Sequence, residues 1–204
     1  MPLLSILIAS TPERENLLRN LLLELNIQIV KAQQTEPEKK GIELVVDDSM
    51  RFLNGGLSIG MKREALKNRA TGDYMCYLDV DEGISPNYIE TLLKLCLEGK
   101  DVCTFRAMVK LEDSWGLVDM QLKYLMNDQY TPEHDIRRRP WHICPIRTRL
   151  AQMYHFEDIS NGEDYKFTEQ VLAHCSTEAH TDKIIFEYRH GKHSEADEIE
   201  NHGK

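Results

Sequence analysis

Short apolar runs alternate with helical patterns along this chain, and that alternation restricts the fold more than any other feature of the sequence. Apolar runs of the buried-strand type lie at residues 3–10, 42–46 and 74–78. Leucines at helical spacing follow the first run as far as about Leu25, and a second helical pattern covers residues 60–71. Strands that alternate with helices predict an α/β fold with a largely parallel central sheet and helices on both faces.

The later part of the chain continues this pattern with one interruption. The predicted elements are a helix from Ser85 to about Leu97, a strand at 101–109, helices at 144–154 and 161–175, and a strand at 183–190. Residues 110–141 are irregular, polar and rich in Trp, Tyr and Arg, which predicts a functional loop or lid. We predict a single domain over residues 1–193 and a charged, disordered tail over residues 194–204.

Composition argues against several classes of protein. The net charge of -9 disfavours a nucleic-acid partner, because such proteins concentrate Lys and Arg against phosphates. No window reaches the roughly 18 apolar residues that cross a bilayer, and no leader segment is visible, so we expect a cytoplasmic protein. The five cysteines lack a CxxC pair, which predicts reduced and mostly buried thiols.

Acidic or polar residues follow the three early strands, at the positions where open α/β sheets bind ligands. They are Ser10-Thr11, Asp47-Asp48, and the group of Asp79, Asp81 and Glu82. Carboxylates this close destabilise a fold unless a positive charge lies among them. An Asp-x-Asp pair binds Mg²⁺ or Mn²⁺ together with diphosphate oxygens, so we expect a divalent cation there. The alternative is that these residues only cap a turn or the next helix.

Two other interpretations of Asp79 and Asp81 fit less well. A calcium-binding EF-hand loop needs Gly where Ile84 stands, and it follows a helix rather than a strand. Phosphatases of the haloacid dehalogenase type also carry Asp-x-Asp at a strand end. Their Asp-Asp pair comes much later in the chain, whereas Asp47-Asp48 comes earlier here, so this interpretation is disfavoured.

The segment NGEDYKF at 161–167 places Glu163 and Asp164 in the first turn of a predicted helix. The helix dipole favours anions at this position, so a purely structural role would explain both residues. A carboxylate that is fixed at a helix start and faces a cleft is also a candidate general base.

Taken in chain order, these segments resemble the family 2 glycosyltransferases of the GT-A fold. The matching stretches are LSILIASTPERENLLRNLL, ELVVDDSM, GMKREALKNRATGDYMCYLDVDEG and FEDISNGEDYKFTEQVL. The resemblance covers about residues 3–90 and 140–190, and it is carried by the order and spacing of the segments rather than by any one of them.

The resemblance implies a nucleotide site and a metal site. The nucleotide-binding residues would be Ala9, Ser10, Thr11 and Asp47 at the base, Arg63 near the nucleotide and Asp79 near the ribose. Asp81, with Asp79, would hold Mn²⁺ or Mg²⁺, and His190 or His193 would complete the metal or diphosphate site. A lone histidine is often structural, so that alternative stays open for both.

The resemblance also implies the catalytic and acceptor residues. Asp164, beside Glu163, matches the catalytic base of the family. The stretch RRRPWHICPIR resembles an Arg-Pro-x-His-x-x-Pro segment of some relatives, which makes His142 and Arg139 candidates near the acceptor or the donor diphosphate. Departures from the family pattern are Met50, Glu64 and Glu82.

The predicted activity is the metal-dependent, inverting transfer of a hexose or pentose from a nucleoside diphosphate donor, expected to be a UDP-sugar, to a hydroxyl acceptor. The acceptor would be a glycan, a lipid-linked sugar, a protein or a modified base. The small size of the chain and the departures at Met50 and Glu82 leave an alternative: a non-catalytic domain that binds a nucleotide sugar or a glycan within a larger assembly.

Overall fold

The computed structural model describes residues 1–35, 41–48, 58–111, 114–126, 129–130 and 135–189. The predicted metal residues His190 and His193, the departure at Met50 and the predicted tail over residues 194–204 lie outside these ranges.

Strands and helices alternate through the first half of the described chain, as the apolar pattern predicts. The elements are β1 (Leu4–Ala9), a 3-10 turn (Pro12–Arg14), α1 (Glu15–Thr35), β2 (Ile42–Asp47), α2 (Ile59–Arg69), β3 (Tyr74–Tyr77), β4 (Gly83–Ile84), α3 (Tyr88–Leu97) and β5 (Val102–Leu111). The second half contributes β6 (Ser114–Met120), β7 (Gln129–Tyr130), β8 (Ile136–Arg138), β9 (Ile146–Arg147), α4 (Thr148–Ala151), α5 (Glu163–Leu172) and β10 (Glu178–Tyr188).

All of these strands belong to one sheet, in which β2, β1 and β3 are parallel neighbours. Strand β10 pairs in parallel with β5, while β9 pairs antiparallel with both β3 and β5 and joins the two halves. The predicted α/β class, with a mostly parallel central sheet, is therefore confirmed. The parallel order also brings the carboxyl ends of β1, β2 and β3 to one edge of the sheet.

The first helix is longer than its leucine pattern predicts. A 3-10 turn precedes α1, and the Ser10 hydroxyl donates to the Thr11 carbonyl. The helix continues to Thr35 rather than ending near Leu25. It continues because the sequence contains no Gly or Pro between Leu25 and Pro37, so nothing stops the helix after its leucine-rich turns.

Two predictions for the second half are wrong. Part of the segment at 110–141 forms strands rather than irregular structure, since β6 pairs antiparallel with β5 and parallel with β8. The predicted helix at 144–154 is strand β9 followed by the four-residue helix α4. Ile146 pairs with Met75 of β3 and with Val102 of β5, so sheet pairing overrides the local helical pattern there.

The core is continuous from the sheet to the helices. Helix α1 buries Leu18, Leu21 and Leu25 against it, and β1 is buried from Leu4 to Ile8. All five cysteines lie within the described residues and are free thiols, and four of them are buried, as predicted. Within the described ranges, no helix has the length and apolarity that a membrane span requires.

Candidate active site

The predicted residues after β1, β2 and β3 meet because these strands are parallel neighbours. The Ser10 amide donates to the Asp47 carbonyl at 2.8 Å, which ties the end of β1 to the end of β2. Helix α2 packs behind both ends and places Lys62 beside them. The Lys62 ammonium donates to the Ser10 carbonyl and lies 3.9 Å from Asp47 Oδ1.

Asp79, directly beyond β3, is held by the side chains of Arg63 and His142. Its carboxylate accepts hydrogen bonds from Arg63 Nη2 at 3.2 and 3.3 Å, and His142 Nε2 lies 3.6 Å from Oδ2. Burial alone would raise the pKa of Asp79, but Arg63 and His142 hold it well below its usual range. The positive partner of this carboxylate is therefore a protein side chain, Arg63.

Arg63 joins the strand end to the start of α5. Its Nε lies 3.3 Å from Glu163 Oε1, its side chain is 7% exposed, and its guanidinium lies over the Tyr77 ring. Burial would lower the pKa of Arg63, but Asp79 and Glu163 raise it, so the guanidinium stays charged. Among the described residues, Nη1 of this buried group has no hydrogen-bond partner.

The start of α5 presents Asp164 to His142. Gly162 precedes the helix with φ of 76°, a left-handed conformation that glycine adopts without strain. Asp164 Oδ2 then lies 3.0 Å from His142 Nδ1. Burial would raise the pKa of Asp164, but His142 and Arg63 lower it well below the usual range, so this carboxylate is ionised at neutral pH.

A close approach of α2 to the segment before α5 fixes the spacing of these groups. The Gly60 amide donates to the Ile159 carbonyl at 3.0 Å, and a Cβ at Gly60 would overlap the Glu157 carbonyl oxygen. Glycine is required there because only a residue without a side chain lets the backbones approach so closely. The contact aligns Arg63 on α2 with Glu163 and Asp164 on α5.

Glu64, one of the departures from the family pattern, has a structural role. Its carboxylate lies 2.8 Å from the buried Lys67 ammonium and 2.9 Å from His155 Nδ1, and it accepts the Phe156 amide at 3.1 Å. The pKa of Glu64, which burial would raise, is lowered by these partners. Glu64 thus holds the segment that leads towards α5 against α2.

Glu64→Gln is expected to lower the free energy of unfolding by about 2 kcal/mol at neutral pH, because charge-assisted hydrogen bonds are lost around the buried Lys67. Because the pKa of Glu64 is lowered in the folded protein, its ionised carboxylate stabilises the fold at pH values above its ordinary pKa of 4.5. This stabilisation is lost as the pH falls further. The deficit should therefore shrink in acid. Urea denaturation measures both effects. Glu90→Gln, at an exposed pair with Lys94, should change stability by less than about 0.5 kcal/mol.

Two cavities open at this edge of the sheet. The first, of about 220 Å³, is lined by the end of β1 and the 3-10 turn, with Lys62 and Asp81. The second, of about 410 Å³, is lined by the start of α5 and by Trp141 and His142. Four residues line both cavities and form a shared wall between them: Arg63, Asp79, Glu82 and Tyr188.

Both acidic and basic side chains line the first cavity. Arg14 Nη1 lies 3.1 Å from Asp81 Oδ2. Burial, with the neighbouring Asp81 and Asp79, raises the pKa of Glu82 to about 8, although the Arg189 amide donates to its carboxylate at 2.8 Å. The cavity therefore combines hard oxygen ligands with cations from Arg14, Lys62 and Arg63.

Carboxylates of this cavity fit a divalent cation of the Mg²⁺ or Mn²⁺ type. Among the described residues, no three His, Cys, Asp or Glu side chains converge as a complete metal site. Such cations are commonly held by only one or two carboxylates together with substrate phosphates, so a partial protein site suffices. Asp81, which is 40% exposed and pairs with the partly exposed Arg14, fits this role better than Asp79, which is held by two largely buried side chains, Arg63 and His142.

Most of the described site residues predicted from sequence lie on the two cavities. Ala9, Ser10, Thr11, Arg63, Asp79 and Asp81 line the first, and His142, Glu163 and Asp164 line the second. Asp47 is placed behind the first cavity by its contact with Lys62.

Arg139, which was also predicted, does not line either of the two cavities. Its Nε donates to the Leu122 carbonyl at 3.0 Å. Arg138 lines the second cavity instead, with its guanidinium 3.6 Å from the centre of the Trp141 ring. Sequence reasoning also missed Lys62, although it directly precedes Arg63 in a segment that the resemblance covers.

Comparison with known proteins gives structural matches only. No protein-family model and no curated protein matches the sequence. The crystal structure of S. aureus TarS 1-349 superposes with a TM-score of 0.60 at 14% identity, over 93% of this chain and 60% of TarS 1-349. The chain has a GT-A-like glycosyltransferase fold.

Other TarS structures share this GT-A-like fold. TarS 1-349 in complex with UDP-GlcNAc matches with a TM-score of 0.60 at 13% identity, over 97% of this chain and 61% of the other. A longer TarS structure matches with a TM-score of 0.59 at 14% identity, over 93% of this chain and 37% of its own length. The present chain therefore spans less than two thirds of each of these chains.

Proposed function

We propose that this protein is a family 2-type, metal-dependent glycosyltransferase that transfers a sugar from a UDP-sugar to a hydroxyl acceptor with inversion at the anomeric carbon. One observation carries the proposal: two cavities meet at a shared wall, one rich in cations and the other containing an ionised carboxylate, Asp164. A transferase needs such an arrangement, because donor and acceptor must meet at one carbon atom.

The first cavity suits the nucleotide diphosphate. Arg14, Lys62 and Arg63 line it and supply positive charge to a diphosphate there. A divalent cation held on Asp81 would offset the charge that grows on the departing diphosphate. UDP is the first candidate because TarS, which has a similar fold, was crystallised with UDP and with UDP-GlcNAc.

The second cavity suits the acceptor. Asp164 is the proposed general base: it takes the proton of the acceptor hydroxyl as that oxygen attacks the anomeric carbon. The bond from this carbon to the diphosphate oxygen breaks at the same time, and the electron pair leaves with the diphosphate. His142, 3.0 Å from Asp164, holds the carboxylate in place.

Thermal unfolding with added ligands tests the donor assignment. UDP with MnCl₂ at about 100 times the dissociation constant should stabilise the fold by about 2.7 kcal/mol, which raises Tm by about 5 °C or more. ADP, GDP and CDP at the same concentration are the controls and should give smaller shifts. The absence of any nucleotide-dependent shift would overturn the proposal.

Transfer is tested separately with a panel of UDP-sugars and hydroxyl acceptors. Product formation with inverted anomeric configuration, measured by NMR, would support the enzymatic role. Nucleotide-sugar binding without transfer or hydrolysis across the panel would favour the non-catalytic binding domain instead.

A further inference from the structure

Arg14 pairs with Asp81 in the first cavity, and the proposed mechanism does not explain this contact. It ends the 3-10 turn at Pro12–Arg14, and its amide donates to the Thr11 carbonyl at 3.0 Å. Its side chain is only 23% exposed, and Nη1 lies 3.1 Å from Asp81 Oδ2. The guanidinium is thus already in the cavity and bonded to the carboxylate that best fits a divalent cation.

A cation that binds Asp81 must compete with this guanidinium for the same oxygen atom. The two carboxylates of the Asp-x-Asp pair differ in this respect. Arg63, which holds Asp79, is buried in the wall and bonded to Glu163 as well, so it is fixed. Arg14 lies on a short turn that lines the cavity, its side chain is 23% exposed and that of Asp81 is 40% exposed, so this pair is the exchangeable one.

A diphosphate in the first cavity would offer Arg14 a second partner. Guanidinium groups bind phosphate oxygens strongly, often through two parallel hydrogen bonds. Because Arg14 lines the same cavity as Lys62 and Arg63, a nucleoside diphosphate bound in that cavity would lie near the Arg14 side chain.

We infer that Arg14 couples the binding of donor and metal: its guanidinium occupies Asp81 in the free protein, and the donor diphosphate draws it away and opens Asp81 to the cation. This inference rests on the proposed function. Coupling between two ligands is reciprocal, so the cation must favour the diphosphate by the same factor. The free protein would consequently bind the cation weakly until the nucleotide arrives.

Calorimetric titrations of MnCl₂ and UDP, each alone and in the presence of the other, test this on the wild-type protein and on Arg14→Met. In the wild type we expect each ligand to increase the affinity for the other at least about fivefold. In Arg14→Met, Mn²⁺ alone should bind about threefold tighter or more, since no guanidinium competes for Asp81. The coupling factor between Mn²⁺ and UDP should fall by about fivefold.

The coupling factor is the deciding quantity. If Arg14 acted only as a nearby positive charge, its loss would also increase the affinity for Mn²⁺ and decrease the affinity for UDP. The coupling factor between the two ligands would then stay the same. Arg19→Met is the matched control, because Arg19 carries the same charge on the first turns of α1 and pairs with the exposed Glu15. It should leave both affinities and the coupling unchanged.

Two further variants keep the test decisive. Arg14→Lys preserves the charge and should give an intermediate coupling factor, which supplies the answer if Arg14→Met folds poorly. Asp81→Asn should abolish Mn²⁺ binding without the nucleotide. A coupling factor that stays within twofold of wild type in Arg14→Met, or in Arg14→Lys where Arg14→Met does not fold, would overturn the inference while leaving the donor assignment intact. Failure of UDP to bind the wild-type protein would overturn both.

Discussion

Asp164→Asn is expected to lower turnover by about 10² or more while UDP affinity stays within about twofold of wild type, because a general base contributes this much and the amide cannot accept the proton. Asp164 lines the second cavity only, so its replacement leaves the first cavity intact. Steady-state kinetics and UDP calorimetry on the same preparation measure the two quantities.

The matched control is Asp158→Asn, which makes the same chemical change at an exposed position six residues earlier. Turnover should stay at the wild-type level in that variant. Full activity of Asp164→Asn would remove this carboxylate from the mechanism. A loss of UDP affinity equal to the loss of turnover would instead assign Asp164 to donor binding.

Arg63→Met is expected to lower the free energy of unfolding by about 3–5 kcal/mol, because it removes the cation from a largely buried group of carboxylates. The Arg63 side chain is 7% exposed and lies 3.2 Å from Asp79 and 3.3 Å from Glu163, whose side chain is 6% exposed. Methionine fills similar space but leaves these carboxylates without their cation. Urea denaturation at pH 7 measures the loss.

The effect of Arg63→Met should depend on pH in a defined direction. Because the pKa of Asp79 is lowered in the folded protein, its ion pair contributes stability above the ordinary value of 3.8 and loses it as pH falls further. The difference in free energy of unfolding between Arg63→Met and wild type should therefore become smaller in acid.

The control is Arg69→Met, at the exposed end of the same helix. It should lower the free energy of unfolding by no more than about 1 kcal/mol, because one hydrogen bond to the Val46 carbonyl is lost. Equal losses in the two variants would contradict the bridging role of Arg63.

Sequence patterns were sufficient to predict those helices and strands whose local hydrophobic periodicity matches the structure that they adopt in the fold. The run before Asp79 and the pattern over α2 predicted β3 and α2 to within a few residues. Elements that depend on distant partners were not predictable. Strand β8 has three residues and β9 two, and strands this short carry no alternation that distinguishes them from a loop.

The same distinction applies to the site. Asp79, Asp81 and Asp164 were predictable because each follows a recognisable strand or begins a recognisable helix. Arg14 and Tyr188 were not, since nothing in their local sequence indicates that a turn after β1 and the end of β10 line one cavity. Their places depend on the order of strands in the sheet, which local patterns do not encode.

The shared wall has a consequence for how selectivity in such a protein could change. Arg63, Asp79, Glu82 and Tyr188 face both cavities, so an alteration in any of them is felt on the two sides at once. Under the proposed function, a variant that accepts a new sugar nucleotide through these positions would also change its preference for the acceptor. The selectivity of one cavity changes independently of the other through residues that line that cavity alone, such as Thr11 in the first or Trp141 in the second.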